Sequence, residues 1–204
     1  MTEVPEKQKT ETCSEDRIAA AKEFISKLFR DNSDGHDAAH SLRVYQNAMQ
    51  IRKQTDEPCD VEVIALASLL HDADDHKLFH TENNANARAF LAEQGVPEER
   101  IAQICDVING VSFSKNRGKA PSTIEGKIVQ DADRLDAMGA IGIARTFAYG
   151  GGHGRDLDSS IAHFYEKLLL LKEEMNTPAA RAMTEERHVF MEHFLEQYKN
   201  ETES

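Results

Sequence analysis

Val63-Ile64-Ala65-Leu66-Ala67-Ser68-Leu69-Leu70-His71-Asp72 contains the longest apolar run of the chain and ends it on two ionisable side chains. The run is far too short to cross a bilayer, which takes about 20 apolar residues. Ile64, Ala67 and His71 share one helical stripe, so the stretch reads as a buried helix whose inward face finishes on an imidazole. Upstream, Ile18, Ala21, Ile25 and Leu28 recur at helical spacing, as do His40, Val44, Ala48 and Ile51. Downstream, Glu82 to Gln94 predicts a helix stopped by Gly95 and Pro97, and Ile101, Cys105 and Ile108 continue the series. Thr123–Phe147, rich in Ala and Gly, predicts one closely packed central helix. Ser159 is placed to cap a helix through Ile161, Tyr165, Leu168 and Met175 that Thr177-Pro178 ends. A last helix carries Val189, Phe190, Phe194 and Tyr198. No segment alternates with period two for long enough to form a strand. The expectation is one all-α domain over residues 16–198, with a disordered leader at 1–15 and a fraying tail at 199–204.

The composition narrows the function. The 204 residues carry 36 acidic and 24 basic side chains, a formal charge of −12. That balance argues against a protein that coats a nucleic-acid polymer, and suits an enzyme that gathers cations and meets an anionic substrate with a local basic patch. Cys13, Cys59 and Cys105 are odd in number and form no Cys-x-x-Cys, which disfavours a disulfide framework or a zinc ribbon and fits a cytoplasmic location. The N-terminus has no apolar signal-peptide core, and nothing points to a membrane.

The polar residues inside apolar stripes carry the chemistry. His40 lies on the face of Val44, Ala48 and Ile51 and should point inward. His71-Asp72 closes the apolar run, and Asp131-Ala132-Asp133 sits inside the small-residue helix. A buried carboxylate without a partner is costly, and a bound cation offsets that cost. Three buried polar clusters on three helices invite a shared metal.

In this order, His40 … His71-Asp72 … Asp133 resembles the H…HD…D signature of the HD-domain metal-dependent phosphohydrolases. The local contexts Gly35-His36-Asp37-Ala38-Ala39-His40, Leu69-Leu70-His71-Asp72-Ala73-Asp74-Asp75 and Val129-Gln130-Asp131-Ala132-Asp133-Arg134-Leu135-Asp136 sharpen the likeness. His163-Phe164-Tyr165-Glu166-Lys167 is similar to a bacterial subfamily of small stand-alone members. The resemblance implies a helical bundle with one divalent metal ion at its centre, and His40, His71, Asp72 and Asp133 as ligands. Asp131 stays open as a rival for the last place, or as a neighbour that orients it. Mixed nitrogen and oxygen ligation suits Mn²⁺, Fe²⁺, Ni²⁺ or Mg²⁺. No further histidine follows His80 before His153, so a two-metal site, including that of the di-iron HD oxygenases, is disfavoured.

The same resemblance offers Asp75, three residues beyond Asp72, as the group that manages the proton of the attacking water. His36 and Asp37 precede the helix of His40. Asp37 suits an N-cap, while His36 is a candidate to touch phosphate or orient a ligand. Lys77, Arg43, Lys115 and Arg117 are candidate phosphate contacts, and Tyr165 and Lys167 candidate pocket residues. Tyr149-Gly150-Gly151-Gly152-His153-Gly154 has no Gly-Lys-Ser/Thr and reads as a loop, not a P-loop. Zincin, deaminase and Gly-x-Ser-x-Gly patterns are absent. The expected activity is hydrolysis of a small phosphorylated molecule, a (deoxy)nucleotide by resemblance, as a phosphatase or a pyrophosphohydrolase. The alternative is a non-catalytic nucleotide- or metal-binding module. Either would act as a monomer or a homodimer.

Overall fold

In a computed structural model describing residues 6–30, 37–76, 78–112 and 116–203, nine α-helices and one 3₁₀ segment follow one another, with no strand among these residues. The helices are α1 (Glu6–Leu28), α2 (Ala38–Lys53), α3 (Val61–Leu70), α4 (Ala85–Glu93), α5 (Glu98–Asn109), α6 (Ile124–Asp136), α7 (Gly139–Gly152), α8 (Leu157–Glu166) and α9 (Pro178–Thr202). The 3₁₀ segment is Leu168–Glu174. Helix runs back to Glu6 and forward to Thr202, over stretches whose polar composition suggested a leader and a tail. Glu, Lys and Gln are good helix formers even without an apolar face.

Helix α3 is the axis of the molecule. Every residue from Val63 to Leu70 is buried, because α1, α2, α5 and α6 all pack on it. Each fully buried Val, Leu or Ile side chain contributes roughly 1.5–3 kcal/mol. Its start is set by Asp60, whose carboxylate accepts from the N–H groups of Glu62 and Val63, each at 3.1 Å. Arg100 of α5 clamps Asp60 and Glu62 together, and Arg17 of α1 adds a 3.1 Å bond to Glu62. Its end delivers His71 and Asp72.

Helices α2 and α6 pair antiparallel. His40 and Arg43 meet Asp136 at the end of α6, while Asn47, further along α2, donates to the earlier Ala132 carbonyl at 3.2 Å.

Four expectations need correction. Thr123–Phe147 is two helices, not one, because Gly139 takes a positive φ of 67° and turns the chain. The turn is tight: a Cβ on Gly142 would lie 2.2 Å from the Ala137 carbonyl oxygen. Tyr149–Gly154 is for the most part helix, since α7 continues through Gly152 before Gly154 turns at φ 68°. Asp156, rather than Ser159, caps α8 by accepting from Ser159 N at 2.8 Å. That helix stops at Glu166, and Thr177-Pro178 opens α9: Thr177 Oγ1 accepts from Ala180 N at 3.2 Å, and proline needs no donor in a first turn.

Candidate metal centre

Four side chains from three parts of the chain converge beside α3. His40 stands in the first turn of α2, where the Asp37 carboxylate caps the helix by accepting from His40 N at 2.7 Å. His71 is the C-cap of α3, Asp72 follows in the next turn, and Asp133 comes from α6. His40 Nε2 lies 3.2 Å from His71 Nε2, 3.4 Å from Asp72 Oδ2 and 3.4 Å from Asp133 Oδ1. His71 Nε2 lies 3.3 Å from Asp72 Oδ2 and 3.9 Å from Asp133 Oδ1.

Both imidazoles are oriented from behind. His71 Nδ1 faces the Ser68 carbonyl at 2.9 Å. A carbonyl only accepts, so Nδ1 carries a proton and Nε2 is the nitrogen turned to the cluster, available as a ligand once a cation replaces its proton. His40 Nδ1 donates in the same way to Asp136 Oδ2 at 2.7 Å.

The electrostatics call for a cation. Burial opposes charge on His40, yet the carboxylates of Asp133, Asp136 and Asp72 raise its pKa well above the ordinary imidazole value. His71 is raised too, with Asp72 outweighing burial. Asp72 is held well below the usual carboxylate range, since His71 and His40 overcome a large burial penalty, and Asp133 is lowered for the same reasons. Asp72 Oδ2 is nevertheless buried without a hydrogen bond. A carboxylate oxygen held against two imidazole nitrogens, each oriented from behind, matches what a divalent ion takes as ligands. His40, His71 and Asp72 can hold such an ion, their donor atoms lying within 4.8 Å of one another. Adjacent ligands on an octahedral ion with bonds of about 2.1 Å sit about 3 Å apart, close to the spacing found here.

The other candidates are placed as follows. Asp131, two residues before Asp133, serves a different neighbour: its oxygens accept from Asn176 N and Nδ2 and from Thr177 N and Oγ1, each at 2.8 Å. Burial nonetheless keeps its pKa above the ordinary value. Asp75 lies in the turn after His71-Asp72, with its N–H donating to Asp72 O at 3.0 Å and its side chain half-buried. Arg43 is drawn to the centre through Asp136, its Nε donating to Oδ1 at 2.7 Å. Arg117 is exposed after Asn116, Tyr165 is exposed on α8, and half-buried Lys167 closes that helix. His36, Lys77 and Lys115 lie outside the described residues.

Three residues that sequence reasoning did not single out also shape the centre. Asp136 backs His40, and its signal was its place one turn beyond Asp133. Arg145 of α7 donates to Asp136 Oδ2 at 2.7 Å, and nothing local in the sequence marked it. Asp74 steadies the turn after His71-Asp72 by accepting from Asn86 N and Ala87 N at 2.9 and 3.0 Å, capping the first turn of α4.

An all-α bundle that gathers two histidines and two aspartates at the end of its central helix defines a class, and the comparisons agree: residues 37–138 match the HD domain family, to which this chain belongs. YpgQ of Bacillus subtilis is 42% identical over 187 residues, covering 87% of this chain and 90% of that protein. The crystal structure of Bacillus subtilis YpgQ in complex with ADP superposes with a TM-score of 0.75 at 35% identity, over 89% of this chain and 97% of that one. An HD-superfamily hydrolase from Bacillus thuringiensis gives a TM-score of 0.75 at 39% identity, over 94% and 99%.

Proposed function

We propose that this protein is a metal-dependent phosphohydrolase of the cytoplasm that acts on a (deoxy)nucleotide at a single-metal centre formed by His40, His71, Asp72 and Asp133. The observation that carries the reading is the convergence of two oriented imidazole nitrogens on the oxygens of Asp72 and Asp133, within 3.3–3.9 Å. A divalent ion held there supplies Lewis acidity, lowering the pKa of bound water and offsetting charge on a phosphate. The protein's own groups do the rest. Asp75, fixed in the turn after the ligands, accepts the proton of the attacking water. Arg43 steers phosphate to the centre, with Lys77, Lys115, Arg117, Tyr165, Lys167 and His36 as further contacts of substrate. The nucleotide class is supported by the ADP complex of the similar YpgQ.

The test is a metal assay followed by a nucleotide panel with Mn²⁺ in which orthophosphate and pyrophosphate release are separated. Turnover that tracks bound metal supports the reading, and the product released tells a phosphatase from a pyrophosphohydrolase. Stoichiometric metal with no turnover across the panel overturns it in favour of a binding module.

A further inference from the structure

Three helices meet at one buried carboxylate outside the four-residue cluster. Asp136 is the last residue of α6 and is 2% exposed. Its Oδ2 accepts from His40 Nδ1 at 2.7 Å, from Arg145 Nη1 at 2.7 Å and from Arg43 Nη2 at 3.0 Å. Its Oδ1 accepts from Arg43 Nε at 2.7 Å.

Two guanidinium groups suffice to compensate a buried carboxylate and to join α2, α6 and α7. The bond to His40 adds something else. It places the proton on Nδ1 and fixes the plane of the ring, and outer partners of this kind commonly orient metal-binding histidines. Asp133 and Asp136 lie one turn apart on α6, so one helix face supplies a cluster oxygen and aims a second donor from behind.

We propose that Asp136 is a positioning residue of the centre: its carboxylate, held in place by Arg43 and Arg145, keeps His40 Nε2 directed at His71, Asp72 and Asp133. The inference rests on His40 being a metal ligand, as proposed above. Arg145 then belongs to the site without touching the metal, acting through Asp136. Arg43 has a second duty beside any contact with phosphate.

The test needs no substrate. Mn²⁺ is titrated into the full-length wild type, Asp136→Ala, Asp136→Asn and Arg145→Gln, and free Mn²⁺ is read by electron paramagnetic resonance. Asp136→Ala is expected to weaken Mn²⁺ binding about 10–100-fold. Asp136→Asn keeps an oxygen that can accept from Nδ1 and should recover most of the loss. Arg145→Gln should weaken binding about threefold by loosening the carboxylate. Nitrogen-15 spectra of the Zn²⁺-loaded protein should show His40 protonated on Nδ1 in the wild type and lose that signature in Asp136→Ala. A folded Asp136→Ala with wild-type affinity and the same tautomer overturns the proposal. If that variant does not fold, unchanged affinity in Arg145→Gln overturns it instead. A wild type that binds no Mn²⁺ removes the functional reading as well, whereas tight wild-type binding with unaltered variants removes only the role of Asp136.

Discussion

Asp131 and Asp133, two residues apart on α6, work for opposite neighbours: Asp133 Oδ1 stands 3.4 Å from His40 Nε2, while Asp131 accepts four bonds from Asn176 and Thr177 at the start of α9. The two substitutions should therefore separate cleanly. Asp133→Ala is expected to abolish tight metal binding, with only a modest change in melting temperature when both proteins are melted metal-free in chelator. Asp131→Ala should keep metal affinity but cost at least about 2 kcal/mol, because buried donors lose their acceptor. Metal titration and thermal melting of both variants check the pair.

Asp75 sits one turn beyond Asp72 without belonging to the converging four. Asp75→Ala should bind metal as the wild type does and lose about 10²–10⁴-fold in turnover, the usual contribution of a positioned acid or base. His71→Ala should lose both. Equal activity in Asp75→Ala would remove it from the mechanism.

Chelation should destabilise the fold. A ligand at one hundred times its Kd stabilises the native state by about 2.7 kcal/mol, so melting with and without a chelator should show a clear drop in Tm. The drop should vanish in His71→Ala.

The Asp60 cap sets a pH dependence. Burial raises its pKa, but Arg100 and the N–H groups of Val63 and Glu62 outweigh that and hold it below the ordinary value. The folded protein thus keeps Asp60 ionised at a pH where the unfolded chain, with a pKa near 4, is protonated. Its stabilisation is present above about pH 4 and is lost as the pH falls through the lowered folded value. Asp60→Asn retains a capping oxygen but not the charge. Denaturant unfolding should show the wild type ahead by at most about 1 kcal/mol at pH 7, since the ion pair is partly exposed, and the gap should narrow as the pH falls below about 4 and through the lowered folded value.

Gly142 tests the turn between α6 and α7. A methyl group there would meet the Ala137 carbonyl, which belongs to the backbone and cannot swing aside. Gly142→Ala should cost about 3 kcal/mol or more, at the upper end of overpacking effects. Thermal melting reads it directly.

Much of this was legible because the decisive signals are local. Val63–Leu70 is apolar but for Ser68 and stops on His71-Asp72, so both a central helix and a polar terminus follow from the residues themselves. His40 shares its stripe with residues that prove buried. Helical phase could not separate Asp131 from Asp133, because what distinguishes them is the element arriving opposite each: the start of α9 for one, α2 for the other. Gly139 was hidden among other small residues, and only its positive φ reveals the break. Arg145 was beyond reach for a similar reason, since its link to Asp136 exists only after that turn has folded α7 back.

Because α3 is sheathed by four other helices, the two residues at its foot cannot shift without disturbing the hydrophobic interior. Packing precision and chemical competence are thus one inheritance in this molecule: an imperfect fit high on the helix, well away from any donor atom, is felt where the donors meet.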